Sequence, residues 1–197
     1  MKDTKELILR EALKLFASNN YEKVTVVDLE SATGMSRGAI FYHTKNKAQL
    51  FNMVVDKYYF LAQDPEKKIR FDSNTKLIDF IHNYIEGVNK TMNYMRAESF
   101  PNMNQIFYSF ILQASKYYPG FAEKHKRIMY GEHSLWVKRL KYAQEIGEIK
   151  SDVSVDNLAG LFSFTFKGMA WEQSFLEGLD TSELLASYLQ LYSLIKV

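Results

Sequence analysis

Residues 25–44 read TVVDLESATGMSRGAIFYHT, and this stretch predicts two short helices joined by a tight turn. Thr25 is followed three residues later by an aspartate, which is the spacing of a capping box at the start of a helix. Gly34 ends that helix, and Ser36 is placed to cap a second one over about 37–43. Two short helices separated by a glycine-containing turn are typical of a helix-turn-helix.

Outward from this stretch, apolar residues recur at helical spacing along most of the chain. Only three Pro and nine Gly interrupt the pattern, and no stretch alternates with a period of two for long enough to indicate a sheet. Further helices are predicted at 3–18, 46–64, 74–95, 102–117, 120–146, 155–177 and 181–195. The sequence therefore predicts an all-α protein of about nine helices, with a three-helix N-terminal head followed by a helical body.

The composition is that of a folded globular protein, because 47% of the 197 residues are hydrophobic and 24% are charged. Cysteine is absent, which excludes disulfides, thiolate metal sites and cysteine nucleophiles. The four histidines stand outside any spacing known for helical zinc sites. Neither a metal nor a cofactor is expected.

No segment of the sequence has the pattern of a membrane span. The longest stretch without a charge, 99–115, contains Pro101 and several polar residues, and it falls short of the roughly 20 apolar residues that a span requires. The N-terminal segment is amphipathic rather than continuously apolar, so a secretory signal is not expected either. A cytoplasmic protein without a membrane partner is the expectation.

The formal net charge of +2 lies entirely in residues 1–50. This segment holds 8 Lys and Arg against 6 Asp and Glu, whereas the remainder holds 17 of each. The sequence pI of about 8.5 lies below the value of about 9 that is typical of nucleic-acid-binding domains. A nucleic-acid function must therefore be argued from the residue pattern and not from the charge.

Residues 8–51 read ILREALKLFASNNYEKVTVVDLESATGMSRGAIFYHTKNKAQLF. This stretch closely resembles the DNA-binding head of the TetR (tetracycline-repressor) family. The matching elements are the ALKLF of the first helix, Tyr21, Thr25, Asp28-Leu29, the GMSRG of 34–38, Phe41-Tyr42-His43 and the element from Asn46-Lys47 to Leu50. Such a combination is far more specific than a lone glycine turn followed by a serine.

The resemblance implies a sequence-specific DNA-binding transcriptional regulator and not an enzyme. It implies a helix-turn-helix domain at 1–46 and a ligand-sensing and dimerisation domain at 47–197. The expected protein is a ligand-responsive repressor that binds a double-stranded, inverted-repeat DNA operator as a homodimer. A small-molecule effector in the body would shift the population towards an arrangement that releases the DNA.

A short helix fits the major groove, and residues at its N-terminal end meet base edges there. Arg37 is the main candidate for base recognition, because its planar guanidinium matches the paired acceptors of guanine. Phosphate contacts are expected from Thr25 and the amides of its helix start, and from Lys47 at the start of the fourth helix. The expected DNA-contacting residues are Thr25, Ser36, Arg37, Gly38, Ala39, Phe41, Tyr42, His43 and Lys47. Taken singly, Thr25 and Ser36 are explained equally well as helix caps, and Tyr42 as a half-buried aromatic.

Four residues depart from the family pattern. Glu30 and Thr33 stand where small or apolar residues are usual, Phe41 replaces a frequent Tyr, and Thr44 replaces a frequent Phe. The missing hydroxyl at Phe41 puts a phosphate contact there in doubt. Thr44 is expected to loosen the packing of the third helix on the fourth.

The segment from Val155 to Leu176 is apolar nearly all round, so a helix there must bury more than one face. One face can pack in the core and another against a second copy of the chain, together with the final helix. The expected dimerisation residues are Leu158, Phe162, Phe166, Leu185, Tyr188, Leu189 and Tyr192. The alternative is that both helices complete a monomeric core.

Aromatic and methionine side chains in the body are of the kind that lines sites for apolar ligands. The candidates for ligand binding are Phe100, Met103, Phe107, Phe110, Tyr117, Trp136 and Trp171. Because few charged groups accompany them, the expected effector is hydrophobic or a planar aromatic. Most aromatic stripes belong to a core, and the sequence does not separate core residues from pocket residues.

Two other classes of function compete with the regulator. An enzyme would need a phosphate-binding loop, a nucleophile elbow or a metal-ligand spacing, and the sequence has none of these. A helical small-molecule carrier or interaction module without DNA function would explain the aromatic body equally well. It leaves the pattern at 8–51 unexplained.

Overall fold

The computed structural model describes residues 2–63, 74–97 and 103–197, and within these ranges the chain is all-α, as predicted. The described part contains nine α-helices, and β-structure there is limited to one isolated bridge, between Ile149 and Lys196. The helices are α1 Lys2–Ser18, α2 Val26–Thr33, α3 Arg37–His43, α4 Lys47–Val55, α5 Leu77–Ala97, α6 Met103–Tyr117, α7 Phe121–Glu145, α8 Val155–Gln173 and α9 Thr181–Ile195.

The helix starts lie where the capping residues of the sequence predict them. Thr25, Ser36, Ser154 and Asp180 all have extended backbone, and each side chain accepts a hydrogen bond from an amide of the first turn. Gly34 closes α2 in the left-handed region, with φ 67°, where a residue with a side chain would be strained. Local hydrogen bonds of this kind form without help from distant residues, which is why the sequence predicts them.

Two helix ends differ from the predictions. After Val55 the fourth helix continues as a π-helical segment, Asp56–Leu61, instead of an α-helix. The helix α8 stops at Gln173, short of the predicted 177, because Ser174 turns the chain. Its amide donates to the carbonyl of Trp171 at 3.1 Å, and its hydroxyl donates to the same carbonyl at 2.6 Å.

The chain divides into two compact units. The head unit comprises the chain up to Ala62 together with Gln105–Lys124, and the body unit comprises the remaining described residues. This division follows contact density and is distinct from the predicted functional division at residue 46. That functional division stays a prediction.

The head unit is built around apolar side chains of α1, α2, α3 and α4, with Ile8, Phe16, Leu29, Ile40 and Leu50 all fully buried. Aromatic rings extend this core to α6. Phe51 meets Phe16 edge-on at 5.1 Å between ring centroids, and it meets Phe110 at 5.8 Å. The last part of α6 therefore packs as a fifth element of the head.

The core of the body unit surrounds Trp136 of α7, which is fully buried. Its ring stacks on Phe162 of α8 with centroids 4.4 Å apart and an interplanar angle of 7°. Phe80, Tyr84 and Tyr188 complete the surroundings, with ring centroids 4.9, 5.0 and 5.4 Å from that of Trp136. Four helices thus converge on one indole ring.

The start of α5 is fixed by a side chain from a distant part of the sequence. Glu148 accepts hydrogen bonds from the amides of Leu77 and Ile78, at 2.8 and 3.0 Å, and so caps two amides that a helix start leaves unpaired. A carboxylate at this end also opposes the positive end of the helix dipole favourably. Tyr192 of α9 donates to the same carboxylate at 3.2 Å, which joins the last helix to this cap.

Candidate nucleic-acid interface

The helix α3 is held by two side-chain hydrogen bonds at its N-terminal end. The hydroxyl of Ser36 accepts from the amide of Ala39 at 3.4 Å, and the carboxylate of Glu30 accepts from the amide of Arg37 at 2.6 Å. Glu30 lies on α2, so this second bond joins the two helices of the motif. The helix is therefore presented in a fixed orientation, which base recognition requires.

One face of α3 is buried in the head and the opposite face is exposed. Ile40 is completely buried, whereas Arg37, Gly38 and Ala39 are exposed and the side chain of Tyr42 is 79% exposed. An exposed arginine and an exposed tyrosine on one short helix form a surface with hydrogen-bond donors and an apolar ring. Such a surface suits the base edges and thymine methyl groups of a major groove.

Within the chain itself, Gly38 has room for a side chain. A Cβ placed there would meet only the hydroxyl of Ser36, at 3.9 Å, which is ordinary contact. No internal packing therefore calls for glycine at this position. A missing Cβ on the exposed face leaves space for a partner to approach the backbone closely.

Phe41 is half-buried beside this surface. The side chain of His43, the remaining predicted contact on α3, lies outside the described residues. Thr44, which follows the helix, is buried, and its hydroxyl donates to the carbonyl of Ile40 at 3.4 Å. Thr33, another departure from the family pattern, likewise donates to the carbonyl of Leu29, at 2.7 Å. Both buried hydroxyls thus find a partner inside their own helical turns.

Thr25 forms a complete capping box at the start of α2. Its hydroxyl accepts from the amide of Asp28 at 3.2 Å, and the carboxylate of Asp28 accepts from the amide and the hydroxyl of Thr25 at 2.7 and 2.8 Å. The bond from the amide of Thr25, and after it the bond from the Thr25 hydroxyl, hold the pKa of Asp28 below its ordinary value. The threonine is exposed, so a capping role and a phosphate contact are compatible at this position.

Lys47 has a structural role that its position in the sequence did not indicate. Its ammonium donates to the carbonyls of Tyr21 and Val24, both at 3.0 Å, and lies 4.5 Å from the centre of the Tyr21 ring. The side chain thereby joins the start of α4 to the loop between α1 and α2. A phosphate would compete with these carbonyls for the ammonium, so the predicted phosphate contact of Lys47 stays a prediction.

Three further residues near this surface were absent from the predicted set: Val27, Glu30 and Lys45. Val27 of α2 is 70% exposed, and Lys45 is exposed in the loop between α3 and α4. Lys45 directly precedes Asn46, the cap of α4, and a residue before a cap lies outside the helix. Its exposed side chain makes Lys45 a further candidate for a phosphate contact.

The described members of the predicted ligand-binding set are divided between the two units. Phe107, Phe110 and Tyr117 belong to the head unit, whereas Trp136 and Trp171 belong to the body unit. Phe110 packs on Phe51, and the hydroxyl of Tyr117 donates to Glu22 at 2.5 Å. Phe100 and the side chain of Met103 lie outside the described residues.

Two of the predicted dimerisation residues lie in the core of the body unit. Phe162 and Tyr188 are both completely buried in the core around Trp136, and the hydroxyl of Tyr188 donates to the carbonyl of Phe162 at 2.8 Å. Neither reaches the surface, because Phe162 lies on the inner face of α8 and Tyr188 on the inner face of α9. Leu158 is also buried, and the other four, Phe166, Leu185, Leu189 and Tyr192, are partly buried against the same core.

An exposed apolar surface lies instead on the outer face of α8, on the turn that follows it, and near the end of α9. We call it the outer apolar face. Phe164 is 67% exposed and Trp171 is 48% exposed. The remaining members are Leu161, Phe175, Leu176 and Leu194. Large exposed apolar surfaces on a folded chain mark sites where another molecule binds.

Within the three described ranges, no group of three His, Asp or Glu side chains is arranged to hold a metal ion. Among these same residues, none of the helices is both long enough and apolar enough to span a membrane.

The N-terminal segment of the chain is similar to known bacterial regulatory proteins. A family model described as "Bacterial regulatory proteins, tetR family" matches residues 8–54. The HTH-type transcriptional repressor AcnR of Corynebacterium jeikeium is 28% identical over 163 residues, which are 82% of this chain and 77% of that protein. The AcnR repressor of Corynebacterium efficiens is 49% identical over 49 residues, 25% of this chain and 26% of its own length. The higher identity thus covers about a quarter of that relative.

Solved structures share the fold over the whole chain. A transcriptional regulator from Saccharomonospora viridis in complex with choline has a TM-score of 0.67 at 18% identity, with 100% of both chains covered. A TetR transcriptional regulator from Chloroflexus aurantiacus has a TM-score of 0.67 at 19% identity, covering 100% of this chain and 98% of the other.

Proposed function

Because residues 8–54 match the model of the tetR family of bacterial regulatory proteins, we propose that the chain belongs to this family and represses transcription from an inverted-repeat operator as a homodimer. It is a DNA-binding transcriptional regulator with a helix-turn-helix head.

The observation that carries the proposal is the exposed face of α3. Arg37, Gly38, Ala39 and Tyr42 are exposed together on a helix whose opposite face is anchored by the buried Ile40. A protein that only carried a small molecule would have no use for a rigidly capped helix with this surface. Arg37 is proposed to recognise a guanine, and Tyr42 a neighbouring base edge or methyl group.

The outer apolar face supports a dimer. Phe164 and Trp171 lie on the same side of α8, and burying aromatic rings of this size is the main source of stability in such interfaces. A two-fold axis through this face would place the same surface on both copies. Two heads related by that axis fit two half-sites related by an inverted repeat.

The body core suggests the chemistry of an effector. The indole Nε1 of Trp136 and the hydroxyl of Ser163 are buried with no hydrogen-bond partner among the described residues. Such groups cost free energy until an acceptor reaches them. An apolar or planar aromatic molecule that carries an acceptor would pack against the rings and accept hydrogen bonds from these donors.

A cationic effector fits the body core less well. Glu132 is the carboxylate beside the aromatic cluster, and it is already paired with Lys167 at 3.0 Å and with the hydroxyl of Tyr84 at 2.9 Å. Burial raises the pKa of Tyr84 well above its ordinary value, so this hydroxyl stays protonated and donates. An incoming cation would compete with Lys167 for the carboxylate, whereas a neutral aromatic would not.

The operator is tested by selection from a pool of random DNA duplexes, followed by fluorescence anisotropy with the enriched sequences at two salt concentrations. We expect enrichment of an inverted repeat and specific binding at least about a thousandfold tighter than to unrelated DNA. Binding that depends only on salt and not on sequence, or no binding, would overturn the proposal and favour the carrier function.

The effector class is tested with a Trp171→Phe variant, in which Trp136 is the remaining tryptophan. A naphthol is titrated against the operator complex, with choline as the cationic comparison. We expect the naphthol to change the Trp136 emission and to release DNA, and choline to do neither. The opposite order of the two compounds would overturn the proposed effector chemistry.

A further inference from the structure

Val27 of α2 is a large apolar side chain that the fold of the head unit leaves in solvent. It is 70% exposed, whereas Leu29, two residues further on, is completely buried. Among the described side chains of α2 and α3, Val27 and Tyr42 are the large hydrophobic ones with such exposure. A single exposed valine is ordinary on a protein surface, so its position decides whether it has a function.

Val27 lies on the face of α2 that is turned towards the start of α3. Glu30 follows it by three residues, which is nearly one helical turn, so the two side chains share a face of the helix. The carboxylate of Glu30 accepts from the amide of Arg37, the first residue of α3, at 2.6 Å. Val27 therefore lies about 4.5 Å along the helix axis from this link, at the border of the exposed surface of α3.

This border lies between two parts of the proposed DNA contact. In a helix-turn-helix the first helix crosses the DNA backbone, and the N-terminal residues of the second helix meet the base edges. Val27 follows Thr25, the candidate for a phosphate contact, by two residues, and it shares the face of α2 that leads to Arg37. A side chain in this place would lie between the phosphates and the bases that α3 contacts.

The chemistry of valine limits what it can bind there. Its side chain has no donor for a phosphate oxygen or for the acceptors of a base edge. Packing it against such a polar group would remove water from that group without replacing the lost hydrogen bonds. The apolar group that bases present in the major groove is the C5-methyl group of thymine. Valine at this border therefore suits a thymine and not a phosphate.

We propose that Val27 is a specificity-determining residue that recognises the C5-methyl group of a thymine in each half-site. This inference rests on the proposed homodimer and its inverted-repeat operator. It extends base recognition from α3 to α2. The affinity of the contact comes from removing the apolar surfaces of the valine and of the thymine methyl group from water.

The test removes the two sides of this contact separately and together. Deoxyuridine lacks only the methyl group of thymine, so it replaces each thymine of the parent's selected operator in turn, in both half-sites. Val27→Ala removes both γ-methyl groups, and because alanine is the better helix former, the variant should fold. The control is Leu112→Ala, because Leu112 is an exposed apolar residue of the head unit that lies on α6, outside the helix-turn-helix.

Fluorescence anisotropy measures the affinity of each protein for each duplex. For the parent, deoxyuridine at one thymine position of both half-sites should weaken binding by about 15-fold, which is about fourfold for each methyl group. For Val27→Ala the same replacement should weaken binding by about twofold at most. Leu112→Ala should match the parent on every duplex.

An unchanged effect of deoxyuridine in Val27→Ala would overturn the inference, and so would a parent whose binding depends on no thymine methyl group. A Val27→Ala protein that loses affinity equally for all duplexes would also overturn it, because Val27 would then act through the fold or the phosphates. The failure of the proposed function is distinct from these results: in that case the parent itself selects no inverted repeat.

Discussion

The carboxylate of Glu30 accepts a hydrogen bond from the backbone amide of Arg37, with 2.6 Å between Oε1 and N. This bond joins α2 to the first residue of α3, and it explains an acidic side chain at a position where the family usually has a small or apolar residue. It also places a negative charge beside the surface that is proposed to meet DNA.

Replacing Glu30 separates these two effects. Glu30→Ala removes the acceptor, and we expect it to destabilise the head by about 1 kcal/mol, a fall of about 2 to 4 °C in melting temperature. Glu30→Gln keeps an acceptor and removes the charge, so it should retain most of the stability and bind all duplexes about twofold to fivefold more tightly. Thermal denaturation measures the change in stability, and fluorescence anisotropy measures the change in DNA binding. Weaker DNA binding by the glutamine variant would contradict this account.

Arg37 is expected to carry base recognition. Arg37→Ala should reduce discrimination between operator and altered sequences by about 1 to 3 kcal/mol at one base pair of each half-site. Arg37→Lys is the matched control, because it keeps the charge but lacks the planar fork that binds two acceptors of guanine. If the lysine variant retains the full discrimination of the parent, bidentate recognition by Arg37 is wrong.

Lys47 and Lys45 should show opposite behaviour. Lys47→Ala loses two hydrogen bonds to carbonyls, and we expect it to lower the free energy of unfolding by about 1 to 2 kcal/mol because the side chain is partly exposed. Lys45→Ala should leave the melting temperature unchanged, weaken binding to all sequences, and reduce the salt slope by about 1. A Lys47→Ala protein that melts like the parent but has the lower salt slope would restore the phosphate contact to Lys47.

A charged substitution on the outer apolar face should convert the proposed dimer into a monomer. Phe164→Glu should shift the protein from dimer to monomer in analytical ultracentrifugation, because an unpaired carboxylate would be buried in the interface. Binding to the inverted repeat should then fall towards the affinity for a single half-site. Tyr130→Glu, at another exposed aromatic residue of the body unit, is the control and should remain dimeric. If the Phe164→Glu protein is dimeric at the same concentration as the parent, this face is not the interface.

The capping box of α2 should make the stability of the protein depend on pH in the acid range. The pKa of Asp28 is lowered in the folded protein from 3.8, so its contribution to stability is present above that value and is lost as the pH falls through the folded pKa. We therefore expect the melting temperature of the parent to exceed that of Asp28→Asn by a constant amount above about pH 5, and the difference to shrink below pH 3.8. A difference that grows on acidification would contradict the hydrogen-bonded carboxylate.

Most of the helices could be predicted from the sequence because their signals are local. Thr25, Ser36, Ser154 and Asp180 cap helices within three residues of themselves, and Gly34 provides the left-handed turn of the motif. The spacing of Thr25, Gly34 and Ser36 predicts the helix-turn-helix, and the pattern of residues 8–51 resembles the head of the TetR family. The same local reasoning failed at the end of α8, because Ser174 forms a turn that no apolar pattern reveals.

What only the tertiary structure decided are the relationships between residues far apart in the sequence. Phe162 and Phe164 are both aromatic residues of one apolar helix, yet Phe162 is in the core and Phe164 is exposed, because Trp136 from α7 stacks on the first. The inward bonds of Lys47 likewise depend on partners that chain folding brings close. The sequence by itself determined the helices and the DNA-binding motif, since helix caps and turns act over a few residues. Packing determined which faces meet, since it depends on the shapes of all the neighbours at once.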